Sequence, residues 1–437
     1  MANNIVTVVV SQTVAAAPNT LQQQGAFISQ GGTTLEDGAT ALITQLSELT
    51  AILVGAVANT SLVWSGGTVT VTTSSPHGLT VSDQISLTIA GVTPAGYNGT
   101  YLATITGTST FTYALGVNPG SATVPGTWVP ASRAELLAMG TTYFAQGNAT
   151  AVYVLELGAH EDTDNVGEWV TFITDSDPQE FYAYTAPEDW AANAAFLAAV
   201  ANYNSLTSKV YVFVEMSTGN YAGYDSTMKC VVGNIAAPLQ PATAFLGAAG
   251  MYQMLSADPS STNKVAPFAF RYLFGVTAYP TKGNAALLDT LKAAGVNYVG
   301  TGAEGGITNL VWFWGTSMDG RDLLYWYSVD WVQINLDTDL ANAVINGSNN
   351  PTNPLYYNQD GINRLKAVAQ QTLNRAIAYG MALGPIEVTA TPFIEYVVEN
   401  PSDYSAGIYK GLAVTFTPAR GFKAITFNLQ VSDFPAQ

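Results

Sequence analysis

The chain of 437 residues carries 31 acidic and 14 basic side chains, a formal charge of -17. Such a charge repels nucleic acid and anionic lipid, so neither is an expected partner. Charged residues make up only 10% of the chain, against about 25% in ordinary soluble proteins. With 23 Tyr, 17 Phe and 8 Trp, that balance suits a surface largely covered by partners, because interface cores lose charge and gain aromatics. A secreted enzyme with a neutral surface is the alternative.

The N-terminus, Met-Ala-Asn-Asn, shows neither the basic nor the apolar region of a signal peptide, so assembly in the cytoplasm is expected. Residues 5–10 form a strand-like run with Ile5, Val6, Val8 and Val10, followed by a polar, alanine-rich tether to residue 24. An α/β core then occupies 25–59 and 130–420, open to a split into two subdomains near 260–270. Between its two parts, 60–129 is rich in Thr, Ser and Gly and holds Asp83 as its only charged residue. Strands expected over 68–73, 85–90, 100–106 and 110–114, separated by turn dipeptides, make this segment a small inserted β-barrel or sandwich. Ser132 and Glu135 have capping-box spacing at the head of a helix running to about 146.

From there strands at 151–157, 181–185, 209–215 and 296–299 alternate with helices after Pro187 and over 241–256 and 285–294. That alternation argues for a mixed α/β sheet flanked by helices. Two long helices follow Arg321. Leu323, Tyr327, Trp331, Ile334 and Leu340 line one; Leu365, Val368, Ala369, Leu373, Ala376 and Ile377 line the other, at helical spacing. The last strand-like run, 422–431, places Ile425, Phe427, Leu429 and Val431 on one face. Burying four such side chains is worth roughly 1.5–3 kcal/mol each, and an unpaired apolar edge invites aggregation. Two β-arms, 1–24 and 421–437, therefore need a sheet to join. A neighbouring copy supplies it, or 413–416 pairs with 425–431 as an internal hairpin across Pro418 and Gly421.

Candidate chemistry is sparse. Residues 300–305 match GxGxxG after a strand, but no helix follows to aim its N–H groups at a phosphate. His160 lies near Glu161, Asp162 and Asp164 in a spacing that fits no EF-hand or zinc pattern, so a solvated acidic loop is expected. Cys230 sits in an apolar run, as an inert buried thiol does. Asp319 and Asp322 read as a turn and helix cap, and Glu395 with Glu399 as a weak acid–base pair. No catalytic set, metal site or cofactor site emerges, and a non-enzyme is expected. Arg364, Lys366 and Arg375 stand out, three of the 14 basic residues on one helix; Arg364 and Arg375 lie about three turns apart on one face.

Three ordered segments together resemble the contractile tail sheath proteins of bacteriophages, a family shared with R-type pyocins and type VI secretion sheaths. The first runs from Leu291 through Gly295 and Asn297, across a glycine loop, to Val311, Trp312, Trp314, Gly315 and Thr316. The second is the pair of long helices, ending at Gly380 and Gly384. The third is 412–418 followed by the terminal strand. An extra Phe-Trp and the reduction of the usual basic residues to Arg321 mark a divergent branch. The run from His77 through Ile89, Tyr97, Asn98 and Gly99 to Tyr113 is similar to a β module of phage virion proteins. The resemblance implies a structural virion protein whose copies polymerise helically around a tail tube by strand exchange and contract without consuming nucleotide. It implies the tube, baseplate and tail terminator proteins as partners, with Arg364, Lys366 and Arg375 facing the tube. A polysaccharide-acting hydrolase and a tail adhesin are the alternatives.

Overall fold

The computed structural model describes residues 20–148, 150–160, 162–176, 178–204, 207–217, 220–280, 283–301 and 309–424. The two expected exchange strands, with Ile5, Val6, Val8 and Val10 and with Ile425, Phe427, Leu429 and Val431, lie outside the described residues. The chain forms two compact units. Leu21–Ser256, Pro267–Leu323 and 421–424 make one; Ala257–Ala266 and Leu324–Arg420 belong to the other.

In the first unit, β1 (Gly25–Ser29) and β2 (Thr40–Ile43) precede six barrel strands: β3 (Val57–Ser65), β4 (Thr68–Thr73), β5 (Gln84–Thr93), β6 (Gly99–Gly107), β7 (Thr110–Ala114) and β8 (Val124–Pro130). Six more follow: β9 (Val152–Glu156), β10 (Ala183–Thr185), β11 (Tyr211–Met216), β12 (Val231–Ile235), β13 (Asn297–Thr301) and β14 (Leu310–Phe313). The large sheet has the order β14-β13-β12-β11-β10-β1-β9-β2. Its six central strands run parallel, while β14 and β2 are antiparallel edges. Every residue of β1, β10, β11 and β12 is buried. Helices cover both faces of such a sheet, which is why its strands read as continuous apolar runs. The β14 edge is not left open, because Phe270 N–H donates to Trp312 O at 2.8 Å and Trp312 N–H to Arg271 O at 2.9 Å.

The barrel closes in the order β3-β4-β7-β6-β5-β8. Val69, Val71, Leu87, Ile105 and Phe111 fill it, and threonines alternate with them along β4 and β7. Closure removes every free edge.

Two local expectations are corrected. The helix Ser132–Gln146 has no side-chain cap. Ser132 Oγ instead accepts from Gln30 N at 3.0 Å, and Glu135 Oε1 accepts from Glu188 N at 2.6 Å. Both polar groups join distant segments, and tertiary bonding overrides the local motif. Asp164 lies not in a loop but in the first turn of the helix Asp162–Asp175, where a carboxylate suits the positive end of the dipole.

The second unit pairs most of the helix Leu323–Ser348 with the helix Gln359–Ala378. Tyr327, Trp331 and Ile334 of one, and Ile362, Ala369, Leu373 and Ala376 of the other, are buried. Ile377, expected inside, is 38% exposed, and Thr372 takes a buried place by donating to Asp339 Oδ2. β15 (Ala382–Ala390) and β16 (Leu412–Pro418) form a two-stranded antiparallel ribbon. The short helices Phe393–Glu399 and Pro401–Ser405 lie between these strands in the chain.

Candidate functional site

In open parallel α/β sheets, ligands bind outside the carboxyl ends of the strands, where the strand order reverses. Here that place lies around β1, flanked by β9 and β10, and the protein's own side chains fill it. The buried Glu156, last residue of β9, accepts five hydrogen bonds. Gly31 N and Gly158 N donate to Oε1 at 2.7 and 2.8 Å; Ser29 Oγ, Thr33 Oγ1 and Thr33 N donate to Oε2 at 2.7, 2.7 and 3.1 Å. Gln30 donates to Asp189 Oδ1 at 3.1 Å and accepts from Asn165 Nδ2 at 2.7 Å and Trp190 Nε1 at 3.3 Å. The fold's customary ligand crevice is thus a knot of internal hydrogen bonds.

Two further acids lie nearby in the same unit. Glu215, near the end of β11, accepts from Leu246 N at 2.5 Å and from Gln240 Nε2 at 2.7 Å, so it caps the helix Leu246–Leu255. Burial pushes its carboxyl up to about 8, with the Glu188 carboxylate adding to the shift. Glu135 is likewise raised to about 8, by burial first and by Asp189 second. Both acids hold backbone N–H groups, so hydrogen bonding within the fold accounts for their position.

The remaining titratable candidates are separate. Cys230 is buried, its thiol pushed up to about 12 by burial, and it donates to Val200 O at 3.2 Å. His160 Nε2 lies 3.1 Å from Asp37 Oδ2 and 3.9 Å from Glu168 Oε1. His77 Nδ1 accepts from Leu79 N at 3.1 Å. Glu395 and Glu399 are both exposed on one short helix. Among the described residues no cluster of His, Cys, Asp or Glu could hold a metal ion. Of the GxGxxG match, Gly300 and Thr301 close β13, and the rest lies outside the described residues.

The segment that carries the sequence resemblance has a structural purpose. Asn297 is fully buried. Its Nδ2 donates to Gly233 O at 2.9 Å and Thr316 O at 2.8 Å; its Oδ1 accepts from Thr316 N at 2.9 Å and Trp314 N at 3.2 Å. Trp312 Nε1 donates to Asn234 Oδ1 at 3.0 Å, and Thr316 Oγ1 to Gly295 O at 3.0 Å. Gly295 has φ +74, and a Cβ there would meet Ser317 O at 2.8 Å. Only glycine fits both constraints without strain. These residues tie β12, β13 and the turn at 315–317 together.

On the basic helix, Arg375 Nη2 pairs with Asp339 Oδ2 at 2.5 Å and its guanidinium lies 5.7 Å from the Trp331 ring centre. Arg364 Nη1 donates to Pro354 O at 2.8 Å. Both arginines therefore brace their own unit, whereas Lys366 is exposed. No single signal in the sequence separates these roles. Asp339 lies 36 residues away.

The ribbon was the feature least visible in advance. Along β16 exposed and half-buried residues alternate, and among the described residues no third strand joins either edge. Leu383 of β15 is 53% exposed, and Ile394 and Val398 of the following helix are 77% and 76% exposed.

No protein-family model and no curated protein sequence matches the chain. Solved structures do. A chain of the anti-feeding prophage baseplate in its contracted state is 12% identical with a TM-score of 0.53, covering 99% of both chains. A chain of the contracted helical sheath of the same prophage is 12% identical at 0.49, covering 99% of this chain and 100% of its own. The sheath tail protein Lin1278 of Listeria innocua is 10% identical at 0.42, covering 92% and 93%. Among the described residues no helix is long and apolar enough to cross a membrane. This chain therefore shares its fold with that chain of the contracted anti-feeding prophage baseplate.

Proposed function

We propose that the chain is a tail sheath subunit of a contractile, phage-type tail. Copies polymerise helically around a tail tube and contract to drive it through the host envelope. The observation that supports this reading is the β15–β16 ribbon, which no third strand joins among the described residues, and whose edges are proposed to accept strands by β-augmentation. Arms 1–24 and 421–437 of neighbouring copies are the strands proposed to join it. A repeated contact of this kind that does not close generates a helical filament, and flexible threads keep strands paired while subunits rotate. The energy is proposed to come from interface burial in the contracted state.

We assign the barrel, 57–130, to the outside of the sheath, since a closed barrel offers no edge for strand addition. Tube, baseplate and tail terminator are the proposed partners, in the virion tail, with assembly in the host cytoplasm. The helix Gln359–Ala378 is the proposed tube-facing element. Lys366 makes the contact, and Arg364 and Arg375 hold the helix in place.

Deleting 421–437 tests the central claim. The truncated subunit should remain folded and soluble yet form no long tubes in negative-stain images, where the full chain does. Tubes of ordinary length from the truncated chain would overturn strand exchange. Where tube protein is present, Lys366→Glu should abolish templated growth of the full chain; unchanged growth would remove this helix from the tube contact.

A further inference from the structure

Resting on that reading, we infer that the 319–322 turn is a clamp that fixes the root of the C-terminal segment before assembly, and that tube growth depends on it. β16 runs to Pro418, and Ala419 N–H donates to Met381 O at 3.1 Å. Two residues on, Gly421 N–H donates to Asp322 Oδ2 at 2.8 Å, and Lys423 Nζ donates to Gly320 O at 2.9 Å.

The turn is itself braced. Asp319 Oδ1 accepts from Ser317 Oγ at 2.5 Å and Arg321 N at 2.9 Å, and Gly320 N–H donates to Ser317 O at 2.9 Å. Asp322 is 5% exposed, so its bond to Gly421 is a charge-assisted one shielded from water. The Lys423 contact is exposed and adds direction more than strength. Gly421 is required by space, not by backbone twist. A Cβ there would stand 2.6 Å from Pro267 Cβ and 3.2 Å from Asp322 Oδ2. The next residue, Phe422, is 82% exposed, an aromatic presented at the point where the arm departs.

Arg420 and Lys423 are the last two basic residues of the chain, so trypsin reports on the clamp directly. In the full-length subunit before assembly, Asp322→Ala should speed cleavage after these residues by about tenfold or more, because cleavage follows the population of the opened form. The same variant should give short or irregular tubes. Asp322→Asn, which keeps an acceptor oxygen, should restore protection. Gly421→Val, which leaves Asp322 untouched, should reproduce the Ala phenotype and stands in for it if Asp322→Ala does not fold. Wild-type cleavage rates and tube lengths in Asp322→Ala and Gly421→Val would overturn the clamp. If the 421–437 deletion still blocks growth, the clamp alone has failed; if the deletion also polymerises, the sheath-exchange reading has failed with it.

Discussion

Replacing Glu156 with leucine should cost the sheet-and-barrel unit about 3–5 kcal/mol, read as a lower urea midpoint with an unchanged slope. The carboxylate is 1% exposed and gathers donors from Ser29, Gly31, Thr33 and Gly158. Three of the five donors are backbone N–H groups, which cannot turn away to find water. An apolar side chain of similar size leaves them buried without partners, and each such group costs about 1–3 kcal/mol. Glu156→Gln keeps one acceptor oxygen but points an NH2 at other donors, so it should fall between wild type and leucine. A loss below about 1 kcal/mol for Glu156→Leu would mean that water reaches this corner and that the knot is not what closes the crevice.

Asn297→Leu should be nearly as damaging, about 3–5 kcal/mol by the same measurement. Its carboxamide serves two carbonyls and two backbone N–H groups at once, so nothing apolar can stand in. Asn297→Asp tests the geometry more sharply. It keeps the acceptor side but turns an oxygen toward Gly233 O and Thr316 O, replacing two attractions by two repulsions. Aspartate should therefore be no better than leucine. If aspartate were tolerated, the carbonyls would not be the constraint. Leu323 N–H donates to Gly315 O at 2.9 Å, so the loss reaches the residue after the 319–322 turn as well.

The elements legible in the sequence were those whose burial is one-sided or total over several residues. β4 and β7 fall at their expected bounds because threonine outside and an apolar residue inside alternate over 68–72 and 110–113. β3 and β8 escaped notice for opposite reasons. β3 contains a bulge between Asn59 and Ser61 that breaks the alternation, and β8 carries Pro125, Gly126 and Pro130, which discourage a strand assignment. β1 and β2 are short, and β1 is buried on both faces, so no period marks it. Among candidate site residues, the charge pattern singled out Arg364, Lys366 and Arg375, yet it could not say which of them was already engaged.

What the sequence determined alone is the class of surface and the class of architecture: few charges, many aromatics, apolar runs alternating with amphipathic helices, and a Thr-rich β module. These follow from composition and local period, which act within a few residues. Only tertiary structure decided which polar groups are occupied. Ser132 left its cap for Gln30, Asp322 reached Gly421 across 99 residues of chain, and Glu156 drew in donors up to 127 residues away. A buried polar group must find a partner wherever the fold brings one, and sequence spacing carries no record of that distance.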